Sequence, residues 1–324
     1  VPVTGDTLYI PDPHLGFTIA ANASARIQRE VSRESVHTDS LGLRTTAPGQ
    51  ERATAQVAAI GCSWTEGVGC DYEESIVGQL EKLLDRPVAN LGVGSYSLLQ
   101  SVMRLEHLAD RIAAKDVIVL YGSWLLNRSL LDRKDTIIYR PILATVAGNL
   151  SVVPPSNPPR WLIEIYRSLE KTGEGPGWKR TLMAKLRGLA QRLRADTDAE
   201  ATWLNAAAAP DRATALAYLV GRLASLAKSR GFRVTVFHLY EYERELREGR
   251  SVQLIDNMIL SKVADLHPEV RFIDDSGMRH RITTFFRGRG TTVEDSLATI
   301  HWPDNNHPNA TGCELIAQEI AAHF

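Results

Sequence analysis

Cysteine is scarce in this chain of 324 residues: Cys62, Cys70 and Cys313 are the only three. An odd, low count excludes a disulfide framework, and no close Cys/His pairs recur as a zinc site requires. Cys62 belongs at a strand end, which disfavours a Cys62–Cys70 bridge, so three free thiols are expected. Charge of one sign is lacking too. The 37 basic and 38 acidic residues leave a net charge of -1, so no global field favours nucleic acid or an anionic membrane surface. No apolar run approaches the length of a membrane span, and no secretory signal is recognisable. The chain starts at Val1 rather than Met, which leaves a removed tag, signal or anchor open, and the compartment with it. There is no internal repeat. What remains, 44% hydrophobic and 23% charged, is ordinary globular composition with enough length for a large core.

Residues 1–53 are polar and carry turn signals at Pro11-Asp12-Pro13 and Leu41-Gly42-Leu43. They read as an N-terminal extension with short strands that packs on a second unit, 54–324. From Ala55 the pattern changes. Short apolar runs at 56–60 and 116–121 suit strands buried in the interior of a sheet, and 87–91, 233–239 and 270–273 read as three further strands. Amphipathic stretches at 71–84, 98–114, 212–229 and 252–266, and from Thr311 to the C-terminus, suit helices. This alternation predicts an α/β fold: a three-layer α/β/α sandwich around a five-stranded parallel sheet. Residues 126–210 break the rhythm and read as a helical insertion. Its Pro-rich stretch 154–159 is a rigid loop, and its basic amphipathic segment 178–194 is a solvated face. A membrane contact through 178–194 is the less favoured reading.

Ser63 follows the first buried strand, in Ile60-Gly61-Cys62-Ser63-Trp64-Thr65-Glu66-Gly67. Ligands of parallel sheets collect outside the carboxyl ends of the strands, so a serine there meets substrate. Read alone, it is equally a helix cap. Asp304 and His307 stand three residues apart near the C-terminus. At that spacing a carboxylate holds one imidazole nitrogen and leaves the other to take a serine proton, although the pair also reads as a polar turn capped by Asn309. Two more strand ends carry candidate oxyanion donors: the amides of Gly94 and Ser95, and the side chain of Asn127. All four segments converge on one edge of the sheet. Trp64, Trp124, His301 and Trp302 lie next to these segments and are candidate substrate contacts. His238 ends a strand without a matching carboxylate and reads as structural.

These segments resemble the SGNH (GDSL-type) hydrolase superfamily. Gly61-Cys62-Ser63 matches its Gly-Asp-Ser block, in the form of branches with Cys before Ser. Asn90 to Gln100 matches the second block, and Asp304-Asn305-Asn306-His307-Pro308-Asn309 the last. The resemblance implies a flavodoxin-like sheet, Ser63 as nucleophile, His307 as base and Asp304 as its orienting acid. The chain departs from the family at two points: Ser95 falls where the oxyanion glycine is expected, and no Asn stands two residues after Gly122. Asn127 is the substitute. The implied activity is a bacterial-type serine esterase or deacetylase acting through an acyl-enzyme, with no cofactor and no metal. Its substrate would be a small acylated molecule, an O-acyl ester of a carbohydrate or lipid-like alcohol. An acyltransferase using the same triad, a thioesterase or lysophospholipase, and an SGNH-like binding module without turnover are the alternatives.

Overall fold

Five short apolar strands form the parallel part of the sheet: β6 (Val57–Ile60), β7 (Val88–Asn90), β8 (Asp116–Tyr121), β11 (Arg233–His238) and β12 (Val270–Ile273). The computed structural model describes residues 8–28, 32–130, 140–155, 207–241, 253–287, 298–302 and 307–324. The spatial order is β12-β11-β8-β6-β7. Numbered among themselves in chain order, the five run 2-1-3-4-5, the flavodoxin-like order. β6 pairs in parallel with β7 on one side and with β8 on the other, Ile60 opposite Val119. The connections leave β6 and β7 on opposite faces of the sheet, so the switch point of the topology lies at the end of β6.

Alternation along each strand explains the three layers. Ala58, Ile60, Val117, Val119 and Tyr121 face one core, filled by α3 (Leu98–Leu108) and α5 (Arg212–Arg230) through Leu99, Leu105, Leu219 and Leu223. Val57, Ala59, Ile118 and Leu120 face the other, where α2 (Ile76–Leu84) and α8 (Ala310–Ala321) supply Leu80 and Ile316. Leu260 and Val263 of α6 (Gln253–Ala264) join the first core. Among the described residues no helix is long and apolar enough to cross a membrane.

Several elements differ from expectation. Residues 24–45 extend the main sheet: β3 (Ser24–Gln28), β4 (Arg33–Thr38) and β5 (Arg44–Thr45) continue it antiparallel beyond β7, with Arg44 opposite Asn90. β1 (Tyr9–Asp12) and β2 (Gly16–Ile19) form a separate hairpin. The helix expected over 98–114 ends at Leu108, because the chain turns at Arg111 and the Ala113 amide bonds the Ala53 carbonyl on its way into β8. A helix with little apolar periodicity, α7 (Ser276–Phe286), escaped the sequence reading; it buries only Met278 and Ile282, one turn apart. The described part of 126–210 holds the end of α4 (Ser123–Ser129) and a hairpin, β9 (Ile142–Val146) with β10 (Asn149–Val153). The basic segment 178–194 lies outside the described residues.

Candidate active site

At the end of β6 the chain makes a turn that only glycine fits. A Cβ on Gly61 would sit 2.1 Å from Thr65 Oγ1 and 3.1 Å from the Leu120 carbonyl. The one-turn helix α1 (Ser63–Glu66) follows directly, and Gly67 ends it in the left-handed region at φ 88°. Ser63 is therefore the first helical residue beyond a buried strand, 9% exposed, at the switch point of the sheet. Its hydroxyl lies 2.7 Å from His307 Nε2, across 244 residues of sequence. Cys62 Sγ, at 3.8 Å, is a far weaker contact for the same hydroxyl.

The imidazole is delivered by a paired loop. His301 bridges Pro308, and the Trp302 amide donates to the His307 carbonyl at 2.8 Å. The Asn309 side chain accepts from the Gly312 amide and so starts α8. The capping role expected of Asn309 and a histidine aimed at Ser63 thus occur together rather than as alternatives. His307 Nδ1 is turned inward and buried. Asp304 lies outside the described residues.

The second strand end packs against the nucleophile turn. A Cβ on Gly92 would lie 2.4 Å from the Glu66 amide nitrogen, and buried Asn90 donates to the Thr65 carbonyl at 2.9 Å. Ser95 stands at φ 65°, a left-handed conformation unusual for a residue with a Cβ. Among the described residues, the amides of Ser63 and Ser95 have no acceptor. The Gly94 amide is engaged, donating to the Glu66 carboxylate. Asn127 sits exposed on the second half of α4, its Oδ1 accepting from Arg212, which also pairs with buried Asp256. Arg212 thus draws Asn127 toward the start of α5.

Three of the four aromatic candidates, Trp64, Trp124 and His301, lie together. The Trp64 ring lies 5.2 Å from Trp124 and 5.6 Å from His301, and Trp124 Nε1 donates to Cys62 Sγ at 3.3 Å. Trp302 Nε1 closes over Gly69, where a Cβ would come within 2.9 Å. Burial, then the neighbouring His307, lowers His301 to about 3, so it is neutral near pH 7. His238 bonds Asn257, which in turn donates to Asp275 at 2.6 Å. All three cysteines are free and buried, and Cys70 and Cys313 both contact the Pro308 carbonyl beside His307.

Four site residues escaped the sequence reading, and three of them come from the N-terminal extension. The Arg44 guanidinium is fully buried and donates to the carbonyls of Glu66, Gly67 and Cys70, at 2.6, 2.7 and 2.6 Å. Buried Glu34 accepts from the Gly69 amide at 2.6 Å. Together they fix the loop that follows Ser63. Glu66 itself is 2% exposed and accepts from the Tyr9 hydroxyl at 2.8 Å. Burial pushes its carboxyl above the usual range, against the pull of Arg44 and of the Tyr9 and Gly94 donors. No spacing rule links these residues to Ser63; only Glu66, in the segment that follows Ser63, left any trace.

No family model matches the chain, and no curated protein matches it. Among solved structures it is similar to a protein described as lipolytic, of the G-D-S-L family, from Desulfitobacterium hafniense DCB-2. The identity is 14%, the TM-score 0.39, and the match covers 84% of this chain and 100% of that one. It is also similar to an alpha/beta hydrolase enzyme from the metagenome of Lake Arreo, Spain, at 15% identity and TM-score 0.41, over 84% and 95% of the two chains.

Proposed function

We propose that this chain is a serine esterase or deacylase of the SGNH (GDSL-type) superfamily, with Ser63 as nucleophile, His307 as general base and Asp304 as the acid that orients it. The observation that carries the proposal is the 2.7 Å contact between Ser63 Oγ and His307 Nε2. Hydrogen-bond reach between a strand-end serine and an imidazole is the first requirement for activating the nucleophile.

In this reading His307 holds its proton on Nδ1, toward Asp304, and takes the Ser63 proton at Nε2 as Oγ attacks the ester carbonyl. The tetrahedral oxyanion is met by the amides of Ser63 and Ser95. The Gly94 amide is left out of this role, since it already serves Glu66, whereas Asn127 meets Arg212 only through its acceptor Oδ1 and its Nδ2 donor remains a candidate for the oxyanion. Protonated His307 then gives its proton to the leaving alcohol. Water, deprotonated in turn by His307, releases the acyl group and restores Ser63. Trp64, Trp124, His301 and Trp302 would form the wall against which the acylated sugar or lipid-like alcohol lies.

The test is turnover of p-nitrophenyl acetate by wild type and by Ser63→Ala. The variant should melt like wild type and lose hydrolysis. Full activity in the variant would refute the nucleophile. Adding an acceptor alcohol and analysing products separates hydrolysis from acyl transfer.

A further inference from the structure

The N-terminal hairpin does more than cover the core. We propose that Tyr9 and Glu66 are positioning residues that hold the oxyanion loop, so that the β1–β2 hairpin belongs to the catalytic machinery. The inference rests on the reading of Ser63 and His307 given above.

Glu66 shares its single helical turn with Ser63, and its carboxylate has two oxygens to offer. The Tyr9 hydroxyl of β1 donates to it, 2.8 Å from Oε1 and 3.0 Å from Oε2, and the Gly94 amide donates to Oε2. The three groups are in close contact, because a Cβ on Gly94 would lie 2.9 Å from Tyr9 Oη and 3.0 Å from Glu66 Oε2. On the other side of Ser95, the Tyr96 hydroxyl donates to the Phe17 carbonyl of β2 at 2.7 Å, and the two rings meet edge to face at 5.3 Å. Residues 94 and 96 are thus each tied to the hairpin, one through Glu66 and one directly.

Ser95 sits between these ties at φ 65°. A left-handed residue with a Cβ is strained and persists only where its surroundings determine it. Burying a carboxylate is itself unfavourable unless its hydrogen bonds are made. Both costs fall on the loop that presents the Ser95 amide. The acid therefore sits between nucleophile turn and oxyanion loop and fixes their separation, with Tyr9 holding it from the far side.

The test compares Glu66→Ala, Glu66→Gln, Tyr9→Phe and Ser63→Ala in the full chain, with p-nitrophenyl acetate as probe and a melting curve for each. An amide displaced by about 1 Å costs on the order of 10–10² in rate, so kcat in Glu66→Ala should fall by that factor while KM stays within about threefold. Glu66→Gln keeps an oxygen for Gly94 and should recover most of the loss. Tyr9→Phe should lower kcat several-fold, and it decides the matter where Glu66→Ala fails to fold. The inference is overturned if Tyr9→Phe and Glu66→Ala keep wild-type kcat, or if the change falls on KM alone. Ser63→Ala separates the two levels. A dead Ser63→Ala beside fully active Tyr9→Phe and Glu66→Ala removes only this inference, whereas an active Ser63→Ala removes the nucleophile and the inference with it.

Discussion

Ser63 and His307 illustrate how the role proposed for a residue depends on its surroundings. A serine after a strand is usually a cap, and an Asp-x-x-His run is usually a turn. What changes their meaning is a distance of 2.7 Å, set by a sheet that brings positions 63 and 307 to one edge. Gly61 contributes at the same scale, since any side chain there would strike Thr65 and displace the turn that carries Ser63. Asp304 supplies a prediction. If it holds the proton on Nδ1, Asp304→Asn should leave binding intact and lower kcat by roughly 10²–10⁴, because the amide favours the wrong imidazole tautomer. Unchanged kcat for p-nitrophenyl acetate would remove Asp304 from the triad.

The legible elements were the ones that bury both faces. Strands such as Val57–Ile60 and Asp116–Tyr121 are buried along their whole length and almost entirely apolar, and helices such as Arg212–Arg230 repeat leucines at the helical period. The N-terminal strands were harder to place. β5 is two residues long and begins with an arginine, which no burial pattern would assign to the interior. Arg44 is inside because its partners are backbone carbonyls of the turn after Ser63, and those carbonyls need a donor as much as the guanidinium needs acceptors. Lysine offers a point charge on a flexible stem and cannot span three carbonyls in the plane of a fork. Arg44→Lys should therefore cost about 2–4 kcal/mol, as buried carbonyls are left unmet at about 1–3 kcal/mol each with partial compensation. Urea unfolding measures it, and a loss below about 0.5 kcal/mol, the usual range for surface changes, would mean that Arg44 does not organise the loop.

At the scale of the whole molecule, the doubly wound sheet was legible from alternation, while the site's supports were not, since they join residues 9, 34 and 44 to a turn at 63–70 through hydrogen bonds without a sequence period. Burial also links the site to global stability. His301 is held near 3 in the fold against an ordinary value of 6.5, and burial lowers His238 as well. A folded pKa below the unfolded one means that the unfolded chain takes up the proton first. The stability contribution is present above about 6.5 and is lost as pH falls toward 3. Between pH 7 and 5 wild type should lose about 2 kcal/mol more than His301→Asn, read from urea unfolding at each pH; equal losses would show that His301 is not held neutral by the fold. An activated serine paired with His307 reveals itself in the rate at which a fluorophosphonate modifies the intact protein, with the labelled peptide identified. A single adduct on Ser63 is expected, formed at least about 10²-fold more slowly in His307→Ala. An adduct elsewhere, or labelling of Ser63 at the same rate without His307, would contradict the pairing.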